Sequence, residues 1–201
     1  MHNFAYKLLD LGKEFATAVY CQHNFSGYLR DDQEYTIAET KRLTALITAY
    51  EPKSFEKLQV INYGLGGYNI PHYDSAVDRG SDPYGDGRGN RLATLLYIIQ
   101  APETGGATVF PKVGLKISGE TIQAPETGGA TVFPKVGLKI SAETGDAVLW
   151  KNLRHDGQYD NLTLHAGCPV LIGNKWIANQ WIRERPNMFL AQCDLNKNYY
   201  E

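Results

Sequence analysis

The sequence predicts a mainly β protein with N-terminal helices, because the spacing of its apolar residues changes near residue 57. Before that point they recur every three or four residues, as on one face of a helix. From Leu58 onwards, short runs of β-branched and aromatic residues are separated by Gly, Pro, Asn and Asp. We therefore expect a helical extension over residues 1–57 and a β-sandwich or barrel over residues 58–201.

Two helices are predicted within the extension. The first covers residues 3–20, where the apolar side chains at helical spacing are Phe4, Leu8, Leu11, Phe15 and Ala18. The second covers residues 37–50 and follows "TIAE" at Thr36–Glu39, which has the pattern of a capping box. Its apolar positions are Leu43, Leu46, Ile47 and Tyr50.

Five segments after residue 57 have the length and composition of strands. In chain order they read "LQVINY", "RLATLLYII", "DAVLW", "CPVLI" and "KWIANQWI". Turn-forming residues bound each of them, which favours an all-β arrangement over strands that alternate with helices.

A perfect tandem repeat interrupts this region. Residues 99–118 recur identically as residues 122–141, and the flanking residues extend the unit to 23 residues, 99–121 and 122–144. Solenoid folds need about three repeats to bury a continuous core. Two identical copies therefore indicate a recent duplication, a real inserted loop or an assembly artefact of the sequence. A barrel needs one copy in its sheet, so we expect the other to bulge out or pair poorly.

Composition excludes several classes of protein. The net charge is −2, so no excess of basic residues suggests a nucleic-acid partner. No apolar run approaches the roughly 18 residues of a membrane span. The N-terminus is broken by charges and lacks the apolar core of a signal peptide. Two glycosylation triplets, at Asn24–Ser26 and Asn161–Thr163, favour an oxidising compartment.

The candidate chemistry lies in His72, Asp74 and His165. The chain has five His, and His72 stands two residues before Asp74, while His165 lies at a predicted strand. Two imidazoles and one carboxylate on one face of a metal are the ligands of non-haem Fe(II) oxygenases. Zn²⁺ with the same ligands is the rival interpretation. A buried, hydrogen-bonded His165 with no metal is the simplest alternative.

Lys175 favours the oxygenase. It stands ten residues after His165 and begins the last predicted strand. A buried ammonium is costly unless an anion meets it. A dicarboxylate such as 2-oxoglutarate would chelate the metal with its keto-acid end and pair its far carboxylate with Lys175. An exposed lysine in a turn is the alternative.

The combined motifs resemble the catalytic domain of the collagen prolyl 4-hydroxylase α subunits over residues 58–193. They are "LQVINYGLGGYNIPHYD", "GNRLAT", "GGATVFPKVG", "GDAVLWKNL", "LHAGCPVLIGNKW" and "NQWIRE". The resemblance implies a double-stranded β-helix, or jelly-roll barrel. It also implies His72, Asp74 and His165 as Fe(II) ligands and Lys175 as the partner of the distal carboxylate of 2-oxoglutarate.

Further roles follow from the same resemblance. Tyr63 and Thr94 fall where the family contacts the co-substrate, and Arg91 falls near the peptide substrate. Cys168 and Cys193 match a disulfide pair, which leaves Cys21 unpaired. The expected reaction is 2-oxoglutarate-dependent hydroxylation of peptidyl proline at C4 in collagen-like proteins, with ascorbate as reductant. The resemblance places it in the endoplasmic reticulum lumen, with a protein disulfide isomerase subunit as partner.

The sequence departs from the family at three positions. Asn69 and Ile98 stand where the family has Tyr, each with a Tyr one place earlier. A one-residue shift on a strand turns a side chain to the opposite face, so these Tyr residues cannot substitute. Arg183 replaces a His near the co-substrate, although a guanidinium can still bind carboxylate. A 2-oxoglutarate oxygenase of another substrate and a catalytically silent member therefore remain alternatives.

Overall fold

A computed structural model describes most of the chain between residues 24 and 190. The described residues are 24–30, 35–78, 82–110, 112, 115–118, 139–141, 143–188 and 190. The predicted helix at residues 3–20 lies outside them, as do Cys21 and Cys193.

The described residues form one α-helix, twelve strands and three short 3-10 helices at Pro52–Ser54, Asn161–Thr163 and Arg185–Asn187. The helix, α1, spans Tyr35–Thr48. The strands are β1 (Asn24–Leu29), β2 (Leu58–Tyr63), β3 (Asn69–His72), β4 (Arg91–Gln100), β5 (Thr104–Gly105), β6 (Thr108–Phe110), β7 (Leu115–Ser118), β8 (Lys139–Ser141), β9 (Ala147–Lys151), β10 (His165–Gly167), β11 (Val170–Ile172) and β12 (Lys175–Arg183). The prediction of a mainly β protein is confirmed, and all five predicted strands are present.

Two five-stranded sheets carry the site. The first has the order β1-β2-β12-β4-β9, and the second has the order β3-β10-β6-β7-β8. A two-stranded pair, β11-β5, joins the first part of the repeat's first copy to the segment before β12. Strand β1 lies within the region predicted to be helical and pairs along its whole length with β2. The first sheet therefore begins before residue 58.

Helix α1 covers one face of the first sheet. Its buried side chains are mainly threonines, and the hydroxyl groups of Thr40 and Thr44 each donate to the carbonyl four residues earlier. Ile37 is completely buried in a cluster with residues of β1, β2, β4 and β12. The predicted span of 37–50 is therefore close to the observed one, and Ala49, with a φ of 58°, marks the helix end.

The opposite face of the first sheet is lined by a second apolar cluster that contains Ile98 and Phe110. Tyr97 points the other way, where its hydroxyl lies 2.5 Å from that of Thr44 on α1. Adjacent residues of a strand face opposite sides. The structure thus confirms that Tyr97 cannot take the place of the family's Tyr at position 98.

The two copies of the repeat meet at the edge of the second sheet. The first copy supplies β5, β6 and β7. Strand β8, from the second copy, pairs in parallel with β7, so that each residue faces its own duplicate 23 positions later, such as Lys116 and Lys139. Within the described residues, the first copy is therefore the one that packs beside the site, and the second adds only an outer strand.

Candidate metal and anion site

Strands β3 and β10 bring the two predicted His residues together. His72 and His165 are directly paired across these antiparallel strands, and their ring centroids lie 4.3 Å apart. Strand β3 is at the edge of its sheet, a position that tolerates Pro71 because proline has no N–H to donate. Asp74 follows β3 and is buried. One ligand atom from each of His72, Asp74 and His165 lies within 4.8 Å of the others.

Backbone carbonyls fix the hydrogen position on both imidazoles. His72 Nδ1 lies 2.8 Å from the Ile70 carbonyl oxygen, and His165 Nδ1 lies 2.9 Å from that of Thr163. A carbonyl oxygen only accepts, so each Nδ1 carries the hydrogen and each Nε2 keeps a free lone pair. A metal-binding His characteristically donates its other ring N–H to such a partner.

The Asp74 carboxylate lies between the two Nε2 atoms. His72 Nε2 is 3.8 Å from Asp74 Oδ1, and His165 Nε2 is 3.8 Å from Asp74 Oδ2. Burial lowers the pKa of His165 below its ordinary value, although the nearby Asp74 carboxylate acts in the opposite direction. A neutral imidazole is the form that binds a metal.

Aromatic rings enclose His165. The Trp150 ring packs edge-on to it at 5.2 Å, and the Phe110 ring lies 5.4 Å away. These rings remove water from one side of the metal-binding atoms. The two free Nε2 lone pairs and one carboxylate fit a divalent cation such as Fe²⁺ or Zn²⁺. Within the described residues, no other group of three potential metal ligands lies close enough together to hold an ion.

Lys175 is a buried cation on the first sheet. Its Nζ donates to the Gly106 carbonyl at 2.7 Å and to Thr108 Oγ1 at 3.1 Å. None of the ion pairs between described residues includes it. Burial lowers the pKa of Lys175 to about 8, with Cys168 acting in the opposite direction. Among the described residues, no carboxylate therefore balances this positive charge.

Tyr63 lies beside Lys175, and the predicted contact of both residues with one co-substrate stays a prediction. The two are directly paired across β2 and β12, and Lys175 Nζ is 5.6 Å from the centre of the Tyr63 ring. Burial raises the pKa of Tyr63 to about 12, so its hydroxyl stays protonated at neutral pH and can donate a hydrogen bond.

Thr94 lies at the metal site and not beside Lys175. Its hydroxyl donates to Asp74 Oδ2 at 2.6 Å. The threonine that contacts Lys175 is Thr108, which the sequence analysis did not select. The signal for it was present in the quoted motif "GGATVF", which also contains the other Lys175 partner, Gly106.

Arg91 is held next to the metal site by an acidic partner. Its guanidinium makes a two-point ion pair with Glu56, with contacts of 2.9 and 3.0 Å. It also stacks 3.5 Å from the centre of the Trp181 ring and donates to the Asp74 carbonyl at 3.4 Å. Arg91 is therefore positioned beside the metal ligands, as expected for a residue near the substrate.

The structure does not bring Arg183 to Lys175. These residues stand eight apart on β12, which corresponds to about 26 Å along a strand. The Arg183 guanidinium is buried and is shared between Glu56 at 3.0 Å, Asp86 at 2.8 Å and the Gly89 carbonyl. These contacts engage all three of its side-chain nitrogen atoms within the protein, and the predicted contact with a co-substrate carboxylate stays a prediction.

Asn69, His155 and Cys168 complete the set of residues near or considered for the site. Asn69 donates weakly towards His72 Nε2, at 3.5 Å, from the position where the family has Tyr. His155 is exposed and belongs to no potential metal group among the described residues. The pairing of Cys168 with Cys193 stays a prediction, because Cys193 lies outside the described residues.

The chain is similar to known proteins in both sequence and fold. The sequence pattern of the 2OG-Fe(II) oxygenase superfamily matches residues 58–183. The chain is 37% identical over 177 residues to the prolyl 4-hydroxylase subunit alpha-2 of Caenorhabditis elegans, covering 88% of this chain and 29% of that protein. It is 40% identical over 152 residues to the human subunit alpha-1, covering 75% of this chain and 24% of that protein. The chain thus spans about a quarter of the length of these relatives.

Solved structures show the same fold. The viral collagen prolyl hydroxylase of Paramecium Bursaria Chlorella virus-1, in complex with 2OG, superposes with a TM-score of 0.65 at 24% identity. The match covers 91% of this chain and 90% of that chain. A prolyl-4-hydroxylase of Pseudomonas putida gives a TM-score of 0.55 at 14% identity, covering 92% of this chain and 88% of that one.

Proposed function

Because this chain belongs to the 2OG-Fe(II) oxygenase superfamily, we propose that it hydroxylates peptidyl proline at C4. The co-substrates are 2-oxoglutarate and O₂, and the products are 4-hydroxyproline, succinate and CO₂. One observation carries the proposal: three metal-ligand side chains converge within 4.8 Å in a chain whose buried Lys175 has no carboxylate partner among the described residues. A metal site alone would need no such cation.

His72, Asp74 and His165 are the proposed ligands of Fe(II). Bound Fe(II) would couple decarboxylation of 2-oxoglutarate to hydroxylation, with one oxygen atom of O₂ entering succinate and the other entering the C4–H bond of proline. The two Nε2 lone pairs are available because both Nδ1 atoms donate to carbonyls. Phe110 and Trp150 exclude water from one side of His165.

Lys175 is the proposed partner of the distal carboxylate of 2-oxoglutarate. An incoming carboxylate would neutralise the buried ammonium, which Gly106 and Thr108 now hold only through neutral oxygens. Thr108 and the protonated Tyr63 hydroxyl are further hydrogen-bond donors within reach of the same anion. A rigid cation placed in advance binds a dicarboxylate without reorganisation.

Several finer features belong to the same proposal. The two sheets are taken as the faces of a double-stranded β-helix, the fold that the family resemblance of the sequence implies. The substrate is a collagen-like, proline-rich peptide, because the α-subunit relatives are named prolyl 4-hydroxylases.

We further propose ascorbate as reductant, the endoplasmic reticulum lumen as compartment and a protein disulfide isomerase subunit as partner. No helix among the described residues combines the length and the apolarity needed to cross a membrane.

A turnover assay tests the proposal. The protein is incubated with Fe(II), 2-oxoglutarate, ascorbate and a proline-rich peptide, and both succinate and 4-hydroxyproline are measured. His165→Ala should abolish both products, whereas His155→Ala, at an exposed His outside the site, should retain them. The assay is repeated on a chain lacking residues 122–144, so that interference by the second copy of the repeat is detected.

A second candidate is an oxygenase of another substrate. Its supporting observation is Arg183, whose N–H donors are used by Glu56, Asp86 and Gly89. Succinate formation without hydroxyproline would favour this candidate. If neither the full chain nor the chain lacking residues 122–144 forms either product, although both bind Fe(II), the protein is a catalytically silent member of the family.

A further inference from the structure

Asn152 is linked to the metal-binding carboxylate through one intermediate side chain. Its Nδ2 donates to Thr94 Oγ1 at 2.8 Å, and Thr94 Oγ1 donates to Asp74 Oδ2 at 2.6 Å. The three residues come from different parts of the chain, and all three are buried. Asn152 follows β9 directly, and Thr94 lies in the adjacent strand β4.

The direction of each hydrogen bond follows from the chemistry of the groups. An ionised carboxylate only accepts, so the single hydroxyl hydrogen of Thr94 must point at Asp74. Thr94 Oγ1 can then only accept from Asn152, which requires the NH₂ group of the amide to face it. The opposite orientation of the amide would place two oxygens against each other. The Asn152 N–H group therefore meets the lone pairs of Thr94 Oγ1 and offers no competing acceptor, so the Thr94 hydrogen stays directed at Asp74.

The backbone holds Asn152 rigidly in this position. Its N–H donates to the Leu92 carbonyl at 2.8 Å, and its own carbonyl accepts from Asp160 N–H at 2.8 Å. The side chain is completely buried, and its Oδ1 has no hydrogen-bond partner among the described residues. An unpartnered buried oxygen is costly. Thr94 is thus the group to which this amide is directed.

We propose that Asn152 is a positioning residue for the metal. Thr94 Oγ1 accepts a hydrogen bond from Asn152, so the Thr94 hydroxyl can donate its one hydrogen to Asp74 Oδ2. This second hydrogen bond orients Asp74 Oδ2 beside His165 Nε2. This inference rests on the proposed metal site, and it adds a residue that does not touch the metal. Outer partners of a metal-binding carboxylate typically contribute about 10- to 100-fold in metal affinity.

The test is a double-mutant cycle on metal binding, with Co(II) alone as the probe and no 2-oxoglutarate present. The variants are Asn152→Leu, Thr94→Val and the double variant, and Co(II) affinity is measured by absorption titration. We expect Asn152→Leu to weaken binding about 10-fold and Thr94→Val about 10- to 100-fold. In the Thr94→Val background, Asn152→Leu should add no more than about twofold, because the group through which it acts is gone.

A matched control separates positioning from general stability. Asn187 is also buried, where it accepts from Glu51 N–H and donates to the Arg183 carbonyl. Asn187→Leu should lower the melting temperature while retaining Co(II) affinity. If Asn152→Leu does not fold, Asn152→Asp keeps the shape and replaces the donor by an acceptor. That variant should weaken Co(II) binding at least about 10-fold at neutral pH.

The outcomes are distinguishable. If the unaltered chain binds no Co(II), the proposed metal site itself fails. If it binds Co(II), and the position-152 variants bind it equally well, the inference about Asn152 is overturned. It is also overturned if Asn152→Leu weakens binding by the same factor with and without the Thr94 hydroxyl.

Discussion

Replacing Lys175 with Met tests the buried cation directly. Met retains most of the side-chain length but removes the charge and the donors to Gly106 and Thr108. Burial lowers the pKa of Lys175 from 10.5 to about 8. At about 1.4 kcal/mol for each unit, burying the charged form costs about 3 kcal/mol at neutral pH. Two acceptors left without a donor cost about 1–3 kcal/mol each in the variant.

The pH dependence of stability isolates the cost of burying the charged form of Lys175. Below pH 8 the ammonium is charged in both the folded and the unfolded chain, and the full cost is present. Between pH 8 and 10.5 the folded chain releases its proton first, so the unfolded chain binds more protons and stability rises with pH. The free energy of unfolding of the unaltered protein, relative to Lys175→Met, should therefore rise by about 3 kcal/mol between pH 7 and 10.5.

Urea unfolding of the metal-free protein at several pH values measures this difference. Subtracting the free energy of unfolding of the variant from that of the unaltered protein removes the contribution of groups that titrate equally in both. Lys53→Met, at an exposed lysine, serves as the control and should show a difference that does not change with pH. A constant difference for Lys175→Met would refute the reasoning, since the ammonium would then not be desolvated. In the metal-loaded protein, Lys175→Met should weaken 2-oxoglutarate binding about 10²- to 10³-fold, because it removes one partner of a buried ion pair.

Three further predictions concern the surroundings of the site. Glu56→Gln should destabilise the protein by about 3–5 kcal/mol in urea unfolding, since it removes the carboxylate that Arg91 and the buried Arg183 share and leaves Asp86 as the one acidic partner of Arg183 among the described residues. Gly106→Ala should weaken 2-oxoglutarate binding more than Co(II) binding in parallel titrations. The reason is that its φ is 65° and the added Cβ would lie 3.3 Å from Lys175 Cδ. Deleting residues 122–144 should change the free energy of unfolding by less than about 2 kcal/mol, because loop-closure entropy varies slowly with length; a larger loss would show that the second copy supports the fold.

The pH response of Glu56 has the same sign as that of Lys175, because both pKa values are lowered in the folded chain, but it falls in the acid range. Burial favours its neutral form, but the guanidinium groups of Arg91 and Arg183 hold its pKa below the ordinary value of 4.5. Its stabilising contribution is therefore complete above pH 4.5 and is lost as the pH falls through the lowered pKa. Acid unfolding compared between the unaltered protein and Glu56→Gln measures this window. Equal acid sensitivity of the two proteins would contradict it.

The sequence identified the groups whose chemistry is rare. His72, Asp74 and His165 were selectable because few His exist and one stands two residues before a carboxylate, just after a Gly-rich turn. Lys175 was selectable because a lysine at the start of a buried strand needs an anion. The strands could also be predicted, since their composition and bounding turns are local properties of the chain. Strand β1 was missed, because it lies in a region where helical spacing dominates its neighbours.

Only the tertiary structure decided what each polar side chain contacts. Thr94 and Thr108 are both buried threonines, yet one donates to Asp74 and the other accepts from Lys175. Arg183 follows the metal and anion residues in the sequence, but a strand carries it about 26 Å away from Lys175, into contact with Glu56. Asn152 and Thr94 are 58 positions apart and meet only because β4 pairs with β9 in one register. The chain specifies its reactive groups through residue type, whereas strand register and side-chain direction, which depend on distant pairing, select their partners.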